Sequence, residues 1–132
     1  MTLADYLKAS VSRSWEPGVF DCCFFPGEWA VSWGRGDPMA TWRGRYRSDR
    51  GGLRFIKRAG GLVELWERGL SSIGVERVGK PQAGDVGVVL AVNDAMRPEP
   101  VGAIWTGSKW AFAAKRGLAF GPATSLAAWG PR

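Results

Sequence analysis

A chain of 132 residues, 45% hydrophobic and 23% charged, has the balance of one ordinary globular domain and is long enough to bury a core. Its longest apolar stretch, Val86 to Val92, is far too short to span a bilayer, and residues 1–20 mix acid, base and polar groups where a signal peptide would carry an apolar centre. The formal charge is +6 and only two cysteines are present, side by side at Cys22 and Cys23, so a disulfide framework is excluded and synthesis and retention in a cytoplasm are expected.

Taken in chain order, Thr2 is placed to cap a short helix with Asp5 at its third position, and Leu3, Tyr6, Leu7 and Val11 share one stripe. Residues 12–20 form a loop broken at Pro17-Gly18. A second helix follows Asp21. Phe25, Trp29 and Trp33 recur at helical spacing, Gly34 and Gly36 end the run, and Pro26 must fall in the first turn, which sets the start at Cys22 or Cys23. Asp37-Pro38 predicts a short helical turn through Trp42, capped by Asp37. A third helix carries Leu53, Phe55, Ile56 and Lys57 to a stop at Gly60-Gly61. A fourth runs from about Gly61 to Ser72 with Leu62, Trp66, Leu70 and Ile73 as its buried stripe.

Beyond Gly74 the period changes. Val75 to Val78 reads as a short strand, Lys80 to Asp85 as a turn and Val86 to Val92 as the strongest strand. Residues 93–100 read as a polar loop. Val101 to Thr106 and Lys109 to Ala113 form a hairpin around Gly107-Ser108, and Leu118 to Phe120 is a further strand. The tail from Ala123 to Trp129 is a helical turn or an extended cover held by Leu126 and Trp129. Helices first and an antiparallel sheet second make an α+β domain spanning residues 1–132.

Two compositional features bear on partners. Eight tryptophans suit a packed core or an interface, and the two in loops, Trp15 and Trp42, are the candidate interface anchors. Between Arg43 and Arg58 seven bases face the single acid Asp49, with Trp42, Tyr46 and Phe55 interleaved. A solvated face is the plain reading of such a run. An acidic protein partner held by Arg43, Arg45, Arg47 and Arg50 is the functional one, favoured over nucleic acid because arginine forks match carboxylates.

The chemistry centres on Asp21-Cys22-Cys23-Phe24-Phe25, which places a cysteine at the opening of a helix, while the chain contains no histidine. A free thiol titrates at about 8.5, so roughly 3% is ionised at neutral pH, and general-base help worth about 10²–10⁴-fold has no imidazole to supply it. The cysteine therefore reads first as a small buried hydrophobe, and second as a thiol activated by helix N-terminal amides, which Asp21 opposes. Two adjacent cysteines cannot close a tetrahedral metal site at the usual spacing, and a vicinal disulfide would be strained. Gly34-Arg35-Gly36 lacks the third glycine of a nucleotide-binding turn, and Glu64 with Glu67 reads as an exposed polar face. No cofactor is implied.

The Asp21–Phe25 segment resembles the Asp-Cys-Ser-Gly-Phe segment carrying the nucleophile of NlpC/P60 cysteine peptidases, with Cys22 at the nucleophile position. Pro81 to Val86 is similar to that family's Pro-Gly-Asp-Leu turn, and Val101 to Gly107 to its His-Val-Gly-Ile-Tyr-x-Gly strand. Aligned so, Val101 stands where the family has its base, and a shift by one offers only Pro100. Over nearly the whole chain the sequence resembles a group of small proteins encoded among bacteriophage tail genes. The matching segments are Asp21-Cys22-Cys23, Gly36-Asp37-Pro38, Arg43-Gly44-Arg45-Tyr46, Gly84-Asp85-Val86 and Ala128-Trp129. The resemblance implies a papain-like α+β scaffold and a catalytically inactive structural component of a phage tail, at the tip or baseplate or in assembly. Its expected location is the virion, after synthesis in the host cytoplasm, and its expected partners are other tail proteins and the host cell wall. The alternative it implies is a phage-encoded peptidoglycan endopeptidase with Cys22 as nucleophile and a base other than histidine.

Overall fold

Thr2 and Asp5 close the capping box expected of them: the Asp5 amide donates to Thr2 Oγ1 at 3.1 Å, and the Thr2 amide donates back to Asp5 Oδ2 at 3.3 Å. Helix α1 runs Leu3–Ser10 from this cap in a computed structural model that describes residues 1–93 and 95–132. Helix α2 spans Phe24–Val31, α3 Asp49–Arg58 and α4 Leu62–Ser72. Strands β1 (Val86–Val92), β2 (Pro98–Trp105), β3 (Trp110–Ala113), β4 (Leu118–Gly121) and β5 (Thr124–Trp129) follow. The α+β arrangement read from the sequence is the one observed, with four helices ahead of a five-stranded antiparallel sheet.

The sheet order is β4-β3-β2-β1-β5, so β1 to β4 form a meander and β5 crosses back to the far side of β1. Helices α2 and α4 lie on one face of the sheet, and α1 packs on α2 by stacking Tyr6 on Phe25, with ring centroids 5.6 Å apart. Phe24, Phe25, Trp42, Trp66, Val86, Val88, Ile104 and Trp129 form the core between helices and sheet. A smaller cluster of Val89, Ala103, Trp110 and Ala128 occupies the other face.

Several expectations are corrected. Helix α2 starts one residue later than the range predicted, because Asp21 Oδ1 accepts both the Cys23 and Phe24 amides and holds Cys23 outside the first turn. Pro26 still sits in that turn, where its missing N–H has no intrahelical partner to lose. Trp33 is half-buried beyond the helix end, and Val11 is exposed. Val75 to Val78 is not a strand; a single bridge from Arg77 to Trp129 and a Val78 amide bonded to the Ala128 carbonyl flank β5 instead. The tail is strand β5, in which Leu126 is exposed and Ala127, Ala128 and Trp129 are buried, Trp129 being the large side chain that anchors the end in the core.

The polar loop is shorter than expected, since β2 begins at Pro98; Asp94, part of that loop, lies outside the described residues. Prolines are tolerated here for a geometric reason. The Asn93 amide bonds the Arg97 carbonyl and the Trp105 amide bonds the Asp85 carbonyl, so odd-numbered β2 residues face β1 and even-numbered ones face away. Strand β3 pairs β2 only at Ile104 and Trp105. Pro98 and Pro100 therefore point their missing donors at an open edge.

The segment after α2 is drawn tightly over α4. Asp37 caps its turn as predicted, accepting the Met39 amide at 2.9 Å, and Trp42 meets Trp66 edge to face with centroids 5.8 Å apart. Gly69 makes this crossing possible, since a methyl group there would run into the Pro38 carbonyl and lie 3.0 Å from the Trp42 ring. Alanine usually gains about 1 kcal/mol over glycine inside a helix, but overpacking against backbone costs about 1–3 kcal/mol and more where nothing can give. We expect Gly69→Ala to lower the urea midpoint; a raised midpoint would show that the turn does not press on α4.

Candidate functional site

The cysteine segment is organised by one carboxylate. The turn at Pro17-Gly18 reverses the chain with Gly18 at φ 80°, and Asp21 follows as a buried residue 3% exposed. Its Oδ1 accepts the Cys23 and Phe24 amides at 2.9 and 2.8 Å; its Oδ2 accepts the Gly18 amide at 2.8 Å and the Tyr46 hydroxyl at 2.7 Å. A buried carboxylate with this many donors is satisfied on both oxygens. The amides that open α2 are spent on Asp21.

Cys22 is half-buried and Cys23 is 1% exposed. Hydrogen bonding to Cys22 and burial push the Cys23 thiol well up, and the charge of Asp21 adds to this. The Cys22 carbonyl packs against Gly102 of β2, where any side chain would collide with it and with the Pro26 ring. This close approach identifies the β2 face that looks at the cysteines. Gly102 and Pro100 are on it, whereas Val101 pairs with Val89 and packs on the opposite cluster of Ala103 and Trp110. Strand alternation puts Pro100, which can neither accept nor donate a proton, on the side of β2 that carries Gly102, while Val101 also lines the cleft beside Cys22.

Where β3 parts from β2, an open cleft of about 480 Å³ forms between Glu99–Val101 on one side and Phe112–Lys115 on the other, with Cys22, Cys23 and Tyr46 also lining it. Ile56 and Leu53 of α3 add apolar wall, and Trp15 and Asp49 stand at the same cleft. The carboxylates here have partners: Asp49 Oδ1 accepts the Trp15 indole N–H at 2.7 Å, and Glu99 accepts from the Asn93 side-chain amide at 3.3 Å. Tyr46 is held protonated by burial first and by the nearby Cys23 and Asp21 charges next. Such an arrangement can bind a ligand, and the sequence has no imidazole to set beside the Cys22 thiol.

The other sequence candidates separate into two groups. Trp42 is fully buried in the core against Trp66, so its assignment as an interface anchor is corrected: the 37–42 turn folds it inward instead of leaving it in an open loop. Arg43 is likewise consumed internally. It bonds both Asp37 oxygens, at 2.8 and 3.2 Å, pairs with Glu28 and lies 5.6 Å above the Phe24 ring. The bond to Asp37 raises the Arg43 guanidinium further and lowers the Asp37 carboxyl. Arg45, Arg47 and Arg50 are exposed and form no ion pair among the described residues, and Trp15 is half-buried with its indole engaged.

Sequence reasoning missed the bond from Tyr46 to Asp21, having counted Tyr46 as an aromatic among bases and as part of the Arg43–Tyr46 segment. It also missed the Asp85 cluster. Asp85 is 2% exposed, accepts the Gln82 amide at 2.7 Å and takes both guanidinium nitrogens of Arg132, at 3.0 and 2.7 Å. An aspartate in a Gly-Asp turn two residues from a strand core was the available signal.

A family model described as a domain of unknown function, DUF6950, matches residues 1–130. No curated protein and no solved structure matches the chain.

Both tyrosines of the chain donate from buried hydroxyls, Tyr6 to the Phe25 carbonyl at 2.6 Å and Tyr46 to Asp21, and both titrate well above the ordinary phenol. A raised folded value means that the stability these phenols contribute is whole below about pH 10 and is lost as pH rises past it. Absorbance at 295 nm is expected to show no tyrosinate until the protein unfolds in alkali; a reversible titration of either tyrosine near pH 10 in folded protein would contradict these two bonds.

Proposed function

We propose that this chain, which belongs to the DUF6950 family of domains of unknown function over residues 1–130, is a catalytically silent docking component of a bacteriophage tail. It is made in the host cytoplasm, is carried in the virion at the tail tip or baseplate or acts in tail assembly, and is built on an NlpC/P60-like, papain-like framework. The observation that carries this reading is the state of the cysteine site. The helix-opening amides and both oxygens of Asp21 are committed to each other, Pro100 faces Cys22 where a base would stand, and the chain contains no histidine. Two bonds join segments that prompted the resemblance, Tyr46 to Asp21 and Arg43 to Asp37, and two tie such segments to the helices: Trp29 Nε1 to the Gly84 carbonyl at 2.7 Å and Trp129 Nε1 to Glu67 at 2.6 Å.

Docking falls to the outer surface. Arg45, Arg47 and Arg50 are exposed and are sequence neighbours of Tyr46 and Asp49, which line the cleft; such a set suits a carboxylate-bearing tail protein because bidentate pairing fixes orientation as well as attraction. The second reading, a peptidoglycan endopeptidase using Cys22 and a base other than histidine, draws its support from the open cleft that Cys22 lines. No helix of the described residues is long and apolar enough to cross a membrane.

Two measurements separate these readings. Mass spectrometry of purified virions of the encoding phage is expected to find the chain in the particle, and its absence would remove the structural role. Purified protein is expected to leave peptidoglycan stem peptides uncleaved, with Cys22→Ala indistinguishable from wild type; cleavage that disappears in Cys22→Ala would establish the peptidase instead.

A further inference from the structure

A second cavity, on another face of α3 from the one that meets the cysteine cleft, has a chemistry of its own. It is an open pocket of about 350 Å³ between α3, α4 and the turn after Asp37. Phe55, Ala59 and Leu65 give it an apolar wall, with Ala59 and Leu65 buried and Phe55 half-buried. Arg58 and Arg68 line the same pocket from different helices, and Thr41 adds a hydroxyl. Neither arginine forms a hydrogen bond or an ion pair among the described residues, although Arg43, Arg77 and Arg132 all do. Glu64, one turn before Arg68 on α4, is not among the lining residues, and Glu67 is occupied by Trp129 and Arg77.

Two unpaired guanidinium groups over an apolar wall select a ligand that is anionic at one end and apolar at the other. About 350 Å³ is at the small end of ligand pockets, and one residue carrying both features is the simplest ligand of that description. The last residue of a polypeptide satisfies this, because its carboxylate and its side chain leave the same carbon, whereas an internal Asp or Glu must bring a separate residue to fill the apolar part. We propose that the α3–α4 pocket is a docking site for the C-terminal residue of a partner protein, an apolar residue whose carboxylate is held by Arg58 and Arg68. This adds a second contact to the arginine surface of the docking reading, and it rests on that reading for the partner's being a tail protein.

The test uses the full chain labelled with ¹⁵N and the probe N-acetyl-leucine, a minimal C-terminal residue. Its addition is expected to shift the side-chain N–H signals of Arg58 and Arg68 and the backbone signals of Thr41 and Phe55. N-acetyl-leucinamide, which lacks only the charge, should bind at least about fivefold more weakly, as should N-acetyl-leucine to Arg58→Gln or Arg68→Gln. Arg54→Gln, on the same helix but outside the pocket, should keep the wild-type affinity within about twofold. Equal binding of acid and amide would overturn the proposal, as would a loss with Arg54→Gln equal to that with Arg68→Gln. Inorganic phosphate binding as tightly as N-acetyl-leucine would mark a plain anion site, and N-acetyl-aspartyl-leucinamide binding as well would assign an internal acid; either result displaces the C-terminal ligand. Absence of the chain from virions with the probe still bound would reject the place in the particle while leaving the pocket.

Discussion

A buried carboxylate is tolerable only when donors replace the water it has lost, and leaving one unpaired costs several kcal/mol. Asp21 meets that requirement by drawing donors from three parts of the chain: the Gly18 turn, the start of α2 and Tyr46. The consequences spread outward. Tyr46, fixed by its hydroxyl, lays its ring against α3 so closely that a methyl group at Gly52 would come within 3.0 Å of it. The position of α3 in turn sets one wall of the cysteine cleft and one wall of the arginine pocket. Removing Asp21 would release the helix start, the preceding loop and the docking of α3 together, because their bonds share its two oxygens.

The far end of the chain uses the same device. Asp85 holds the turn before β1 and the C-terminal Arg132, and the Trp129 indole reaches Glu67 on α4. With Trp29 bonded to the Gly84 carbonyl, helices, first strand and last strand are connected by polar contacts at the border of an otherwise apolar core. Trp42 and Trp66, whose rings meet edge to face, have no such partner for their indole N–H groups among the described residues.

Local chemistry made much of this legible. The Thr2–Asp5 box, the Asp37 cap, the glycine stops after α3 and α4 and the Gly107-Ser108 turn each follow from residues within a few positions of one another, and each is observed. Long-range geometry was not legible. Trp42 looked like a loop residue because nothing nearby in sequence shows that Gly69 admits it to the core. Pro98 and Pro100 read as a loop because β2's open side exists only once β3 has diverged. The cysteine site was half visible. Its residues could be named, but the choice between Pro100 and Val101 depends on which side of a strand meets Cys22, and periodicity alone does not orient a strand.

The proline-edged stretch of β2 bears on how such a domain can coexist with many copies of itself. An open strand with free donors invites a neighbouring chain to add to it, and growth by that route has no natural stopping point. Here alternate donors are deleted along the open side, and the cleft beside it is walled by side chains. Along this stretch association is therefore left to side-chain surfaces, which saturate at defined stoichiometry. The edges at which a strand could still be added are the outer sides of β4 and β5, and the Val78 amide bonded to the Ala128 carbonyl covers part of β5.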